Sequence, residues 1–328
     1  MGIFLGTRSI RRGTARGFAC CLLLCFCLFA SVACGQGTSN SPITNVTVLF
    51  LGFTATHETF DHQLEVDGKG DEVYLATTTI RKDAEGAIST VDGSRPFVII
   101  LSGIMGDVNA HPERQQCGSA AGGMGGIRSG DSCPSSEPWI YDLADVNGYD
   151  PDNSHSGKRP PMIVSEFLLQ EGAGSVIVHP VLWEWDGGGA RDVRWEDGSV
   201  TEAVTTETPP SPPTNDYDEC ADWRRSNPPS PDTVVYGCFS ASDIEQAWEA
   251  LKGLFSFGRA EDRPIGLHGT NKDPSFTVNY LDLDYAGARE LANTDAGHGV
   301  GVVPIRFQEF GEEDWIGDYT LYLKIEVN

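Results

Sequence analysis

Most of this chain's apolar text comes in short segments with strand periodicity, and that feature limits its fold more than any other. The final segment, Tyr319-Thr320-Leu321-Tyr322-Leu323-Lys324-Ile325-Glu326-Val327, alternates in character. Thr320, Tyr322, Lys324 and Glu326 fall on one face, and Leu321, Leu323, Ile325 and Val327 on the other, as in a half-buried strand. Asn45 to Phe53 and Val73 to Ile80 are rich in β-branched and aromatic residues. Phe97 to Leu101 is a continuous apolar run and predicts a strand buried on both faces. Met162–Leu169, Ser175–Trp185, Phe276–Leu283 and Gly299–Phe307 add further strands. One prominent amphipathic helix is signalled. Ser242-Asp243-Ile244-Glu245 forms a capping box, and Ile244, Ala247, Trp248, Leu251, Leu254 and Phe255 follow at helical spacing. Strands do not alternate with helices, so the expected fold is mainly β, an antiparallel β-sandwich with long loop insertions stapled by disulfides.

The first residues read differently. Arg8, Arg11, Arg12 and Arg16 precede an apolar run from Phe18 to Ala33, which is shorter than the roughly 20 residues that span a bilayer. A basic start, a short apolar centre and a small-residue ending predict an export signal over residues 1–33. Cys34 follows Ala33 directly, as in a bacterial lipobox, and is the candidate lipidation site. Free secretion after ordinary cleavage is the alternative. Residues 34–43 read as a tether, and 44–328 as a single sandwich domain. Two insertions interrupt it. One, at about 103–160, holds a Gly-rich stretch; the other, at about 186–232, holds seven prolines.

The chain has nine cysteines, four of them (Cys20, Cys21, Cys25, Cys27) inside the signal. With Cys34 lipidated, Cys117, Cys133, Cys220 and Cys238 remain. An exported chain would oxidise them into two disulfides, expected as Cys117–Cys133 and Cys220–Cys238, although three pairings are open.

Charge narrows the partners. The chain carries 23 basic and 47 acidic residues, a net −24. Removing the signal takes away four positive charges and no negative ones, so the remainder would carry −28. This excess argues against nucleic acid, and against any membrane contact other than through a lipid anchor. It permits calcium, cationic partners, or nothing beyond solubility; a protein or carbohydrate ligand is not identified by it.

Oxygen ligands concentrate before the second strand, at Glu58, Asp61, Glu65, Asp67, Asp71 and Glu72. Carboxylates at a Gly-containing turn suit a hard cation such as calcium; an acidic loop that merely faces water is the alternative. His57 and His62 lie five apart, and a zincin pair needs four. Ser102-Gly103 after an apolar run resembles a nucleophile turn only superficially, with His179 and His298 as conceivable partners. Trp183, Trp185 and Trp195 could form a sugar platform or simply pack in the core.

Asp67-Gly68-Lys69-Gly70-Asp71-Glu72-Val73-Tyr74-Leu75 resembles the first calcium loop of the C-two domain family, the calcium- and phospholipid-binding β-sandwich. Gly311-Glu312-Glu313-Asp314-Trp315-Ile316-Gly317 resembles that family's third loop. The resemblance implies a sandwich and adds Asp314 to the metal candidates Glu58, Asp61, Asp67, Asp71 and Glu72. These readings lead to an exported, lipid-anchored binding or interaction protein. The rival is a secreted hydrolase with a cleft built from the Gly-rich and Pro-rich loops.

Overall fold

The computed structural model describes residues 41–59, 70–90, 97–106, 114–119, 125–150, 158–185, 189–190, 194–196, 261–270, 272–311 and 315–328. The strands are β1 (Ile43–His57), β2 (Val73–Lys82), β3 (Ile88–Ser89), β4 (Phe97–Leu101), β5 (Ile104–Met105), β6 (Arg114–Gln115), β7 (Ser132–Cys133), β8 (Met162–Gln170), β9 (Ser175–Glu184), β10 (Gly189–Ala190), β11 (Arg194–Glu196), β12 (Glu261–Pro264), β13 (Leu267–Thr270), β14 (Asp273–Thr277), β15 (Leu281–Asp284), β16 (Val302–Gln308) and β17 (Asp318–Val327). One helix, α1 (Tyr285–Asn293), lies between β15 and β16. The protein is mainly β, with largely antiparallel sheets packed face to face as a sandwich.

The first sheet runs β16–β17–β1. The other edge of β1 is shared. β8 pairs with Ile43–Phe50, and β7 takes over at Phe53 and Thr54. Gly52 sits at the change of partner with φ +138°, and a Cβ there would lie 2.0 Å from the Cys133 carbonyl oxygen. Only glycine lets β7 approach so closely. β17 pairs along its whole length with Val46–His57 of β1, and Asn45 and Asn328 exchange backbone hydrogen bonds at 3.0 Å each way.

The second sheet centres on the β2–β9 pair. β4, β5 and β3 line the outer edge of β2, and β15 and β12 line that of β9. β11, β14 and β13 form a small third sheet. Facing residues of the first two sheets make the core: Val46, Val48, Phe50 and Phe53 from β1, Leu321, Leu323 and Ile325 from β17, and Leu75, Val178 and Leu182 from the second sheet. The buried hydroxyls of Thr79 and Ser165 pair across the core at 2.8 Å.

Several expectations change. β4 pairs only with β2 among the described strands and leaves Phe97 and Ile99 half-buried, so it is an edge strand and not one buried on both faces. Phe276–Leu283 divides into β14 and β15, which join different sheets. α1 was not signalled by periodicity. It is nine residues long and depends on Asp284, whose carboxylate accepts from the Gly287 amide at 2.6 Å. Ala288 and Leu291 are its buried residues. The helix expected from Ser242 lies outside the described residues. So do the export signal and Cys34.

Candidate functional site

The two sheets are tied together at one end by buried ionisable groups. Strand ends set the location. His57, at the end of β1, pairs with Asp318 at the start of β17, and Val73, at the start of β2, pairs with Glu184 at the end of β9. Glu184 in turn pairs with Arg263 on β12. The connections 58–72, 185–260 and 309–317 therefore start and finish at this end.

Parity along the strands explains why the charges point inward. Glu184 is in phase with Leu182, and Glu309 continues the phase of Val303, Ile305 and Phe307. Arg263 bridges them. Its Nε donates to Glu184 Oε2 at 2.5 Å, and its Nη1 donates to Glu309 Oε1 at 2.9 Å. Glu309 Oε2 also accepts from the Gly317 amide at 3.1 Å, where a Cβ would meet that carboxylate. Nearby, Asp71 accepts from the Thr59 amide at 2.6 Å, the Thr59 hydroxyl at 2.8 Å and the Tyr319 hydroxyl. On the other face of β2, the Tyr74 hydroxyl donates to buried Asp262 at 3.2 Å.

Electrostatics follow from burial. Desolvation holds the Asp71 carboxyl well above the usual carboxylate range. The nearby Glu184 charge adds to the rise, while the hydrogen bonds from Tyr319 and Thr59 oppose it. Burial also raises Glu309, against the pull of Arg263. Burial alone would lower Arg263, but Glu184 and Glu309 more than reverse this and Asp71 adds to their effect. Burial and the Asp71 charge both raise Tyr319. Three carboxyl groups thus face one guanidinium, and the excess of acid is part of what raises the Asp71 carboxyl. Asp71, Glu184, Arg263, Glu309 and Tyr319 are each less than 7% exposed. In this conformation the cluster braces the two sheets and presents no open reacting group.

The sequence candidates separate. Asp71 joins this cluster, with both its oxygens engaged inside the fold. The Glu58 amide donates to Ser129 Oγ at 3.1 Å, and the Glu72 carbonyl accepts from the Trp185 amide at 2.6 Å. Asp61, Asp67 and Asp314 lie outside the described residues. Among the described residues no three His, Cys, Asp or Glu side chains form a metal-holding group. Cys117 and Cys133 are disulfide-bonded, with Cα atoms 5.4 Å apart. Cys220 and Cys238 lie outside the described residues. The Ser102 hydroxyl accepts from the Leu75 amide at 2.8 Å and donates to the Gly103 carbonyl at 2.9 Å, so both bonds go to backbone. His179 is buried opposite Thr78, and desolvation pushes its pKa down to about 3. Trp183 is fully buried and stacks on Tyr74 at 6.3 Å, which makes it core and not a sugar platform.

Sequence reading had not singled out Glu184, Arg263, Glu309 or Tyr319. For the two glutamates the signal was available, as acids in phase with buried apolar neighbours. Tyr319 carried the same signal, in phase with Leu321, Leu323 and Ile325; Arg263 gave none. Comparisons with models of known protein families, with curated proteins and with solved structures return no match.

Proposed function

We propose that this is an exported, lipid-anchored β-sandwich binding protein, displayed at a cell surface and presenting its long connections from one end of the sandwich. The observation that carries this reading is the brace itself. Arg263, Glu184 and Glu309 satisfy one another at the end where 58–72, 185–260 and 309–317 begin and finish. Charges used in this way fix the base of the loops and leave recognition to the loop surfaces. The export signal before Cys34 and the absence of positive excess fit display outside the cell.

The test uses the purified chain on glycan and peptide arrays, together with a panel of ester, glycoside and peptide substrates. The expected result is saturable binding without turnover. Turnover of any substrate, or no binding on either array, would overturn the reading. Metabolic lipid labelling of wild type and Cys34→Ala tests the anchor, and equal labelling removes it.

A further inference from the structure

The outer face of the first sheet carries a second, separate core. Leu49, Leu51, Val302 and Tyr322 form it, and Trp139, Tyr141 and Val146 pack over it from the segment after the disulfide. The Trp139 ring lies 4.8 Å from Tyr322 and 4.4 Å from His298, and His298 lies 4.9 Å from Tyr322. The Tyr141 hydroxyl donates to Glu326 at 3.3 Å.

This segment is fixed along its length. The Ile140 amide donates to the Glu137 carbonyl at 2.9 Å, Asp142 accepts from the Ala144 amide at 2.9 Å, and Ile163 and Asn147 are joined at 2.9 Å. A segment held at so many points should bury its large apolar side chains. Two of them face water instead: Ile140 is 65% exposed and Leu143 is 71% exposed. Val300, two residues from the His298 that packs on Trp139, is 52% exposed. Single exposed apolar residues are ordinary, but Ile140 and Leu143 stand three apart on one fixed segment whose aromatic rings pack inward.

The charge of the segment itself has one sign. Between Glu137 and Asp150 the chain carries Glu137, Asp142, Asp145 and Asp150 and no Lys or Arg. Asp295, near His298, adds another acid. Three described basic residues adjoin it: Lys324 donates to the Val300 carbonyl at 2.5 Å, Lys158 donates to the Gly148 carbonyl at 2.6 Å, and the Arg159 carbonyl accepts from Asn147 at 2.8 Å. Acids remain in excess.

We propose that this face binds a basic amphipathic peptide segment of a partner protein, with its apolar side chains over Ile140 and Leu143 and its Lys or Arg side chains against Glu137, Asp142 and Asp145. Charge complementarity selects this occupant. A second copy of the chain would bring the same acids to the same place and a net −24 of its own. The fixed backbone means that little ordering is lost when the partner arrives. The inference concerns a different face from the loop-bearing end and stands apart from any ligand bound there.

The experiment measures fluorescence anisotropy of a labelled synthetic peptide with Leu and Lys at helical spacing, titrated with the full chain. Two control peptides accompany it, one with every Leu replaced by Ser and one with every Lys replaced by Glu. Saturable binding that weakens with added salt is expected, with both controls at least about tenfold weaker. The variant Ile140→Ser/Leu143→Ser should weaken binding about tenfold or more at an unchanged thermal midpoint, because both side chains are exposed. Asp142→Asn/Asp145→Asn should also weaken binding and flatten its salt dependence; Asn at 142 still caps the turn.

Equal binding by wild type and the Ile140/Leu143 variant overturns the proposal, and so does equal binding of the Leu-free peptide. A wild-type dimer lost in that variant, or a glycan bound by wild type and lost in the variant, overturns it in favour of another occupant. An array ligand that both bind equally, with no binding of the peptide, overturns this inference and leaves the binding-protein reading intact.

Discussion

Arg263→Met tests the brace between the sheets most directly. The substitution keeps most of the side-chain volume and removes the cation from a site where Arg263, Glu184 and Glu309 side chains are 7%, 4% and 0% exposed. Two charge-assisted hydrogen bonds disappear, and two carboxylates remain in the interior without a counter-charge. Removing one partner from a buried ion pair costs about 3–5 kcal/mol. For a domain of this size that lowers the thermal midpoint by on the order of 10 °C. The sign of the pH effect is fixed. Without the guanidinium, the pull that opposes burial at Glu309 is lost, and its folded-state pKa, already raised, rises further above its unfolded value. Its stabilising contribution is then complete below the unfolded value, near 4, and is lost as pH rises through the folded one. The deficit should therefore be largest near pH 8 and shrink toward pH 5. Urea unfolding followed by the fluorescence of buried Trp183 and Trp315 measures it. The triple variant Arg263→Met/Glu184→Gln/Glu309→Gln removes the stranded charges and should recover much of the loss. A loss below about 1 kcal/mol at pH 7, or one equal at pH 5 and pH 8, refutes the reasoning.

Two shorter predictions concern neighbouring features. Asp71 has a raised folded-state pKa, so wild-type stability should fall as pH rises from about 4 through that value, and Asp71→Asn should make the decline shallower across the same window; identical slopes in urea unfolding at pH 4–8 would count against a raised Asp71 carboxyl. Gly52→Ala puts a methyl group 2.0 Å from the Cys133 carbonyl at φ +138°, which should cost more than about 2 kcal/mol and expose the Phe53 and Thr54 amides to hydrogen exchange, whereas a midpoint within error of wild type would contradict that close approach.

The legible part of the fold is the part with simple periodicity. β17 could be read because Leu321, Leu323 and Ile325 alternate with polar residues on a strand buried on one side. β2 and β9 were visible as β-branched runs. α1 was not, since nine residues with two buried positions give too short a stripe, and its start depends on one Asp284 cap. β14 and β15 were read as one strand because the break at 278–280 contains Val278 and Tyr280, both buried, so apolar text continues across a change of sheet. The site was less legible than the fold. Acidic residues stood out where they were dense, around Asp67 and Asp71, yet the structure brings together Asp71, Glu184, Arg263, Glu309 and Tyr319 from five separate stretches. Density along a chain reports local loops. Convergence depends on register between strands whose contacts span 46 to 248 residues, and nothing in local periodicity encodes it.

The pairing of β1 with β17 has a consequence for the order of events during synthesis. Among the described strands β1 is translated first and lies inside its sheet, but its partner along that edge, β17, is translated last of them. Until residues 318–327 have emerged, β1 keeps one edge unpaired, and the inner residues Val46, Val48 and Phe50 lack their cover from Leu321, Leu323 and Ile325. The sheet cannot close progressively as the chain grows. Such a topology folds slowly and late, because the longest loop has to close before its contacts repay the lost entropy. The first sheet of such a chain stays open until β17 has emerged, and an open sheet leaves the chain nearer the extended state in which a polypeptide is threaded across a membrane.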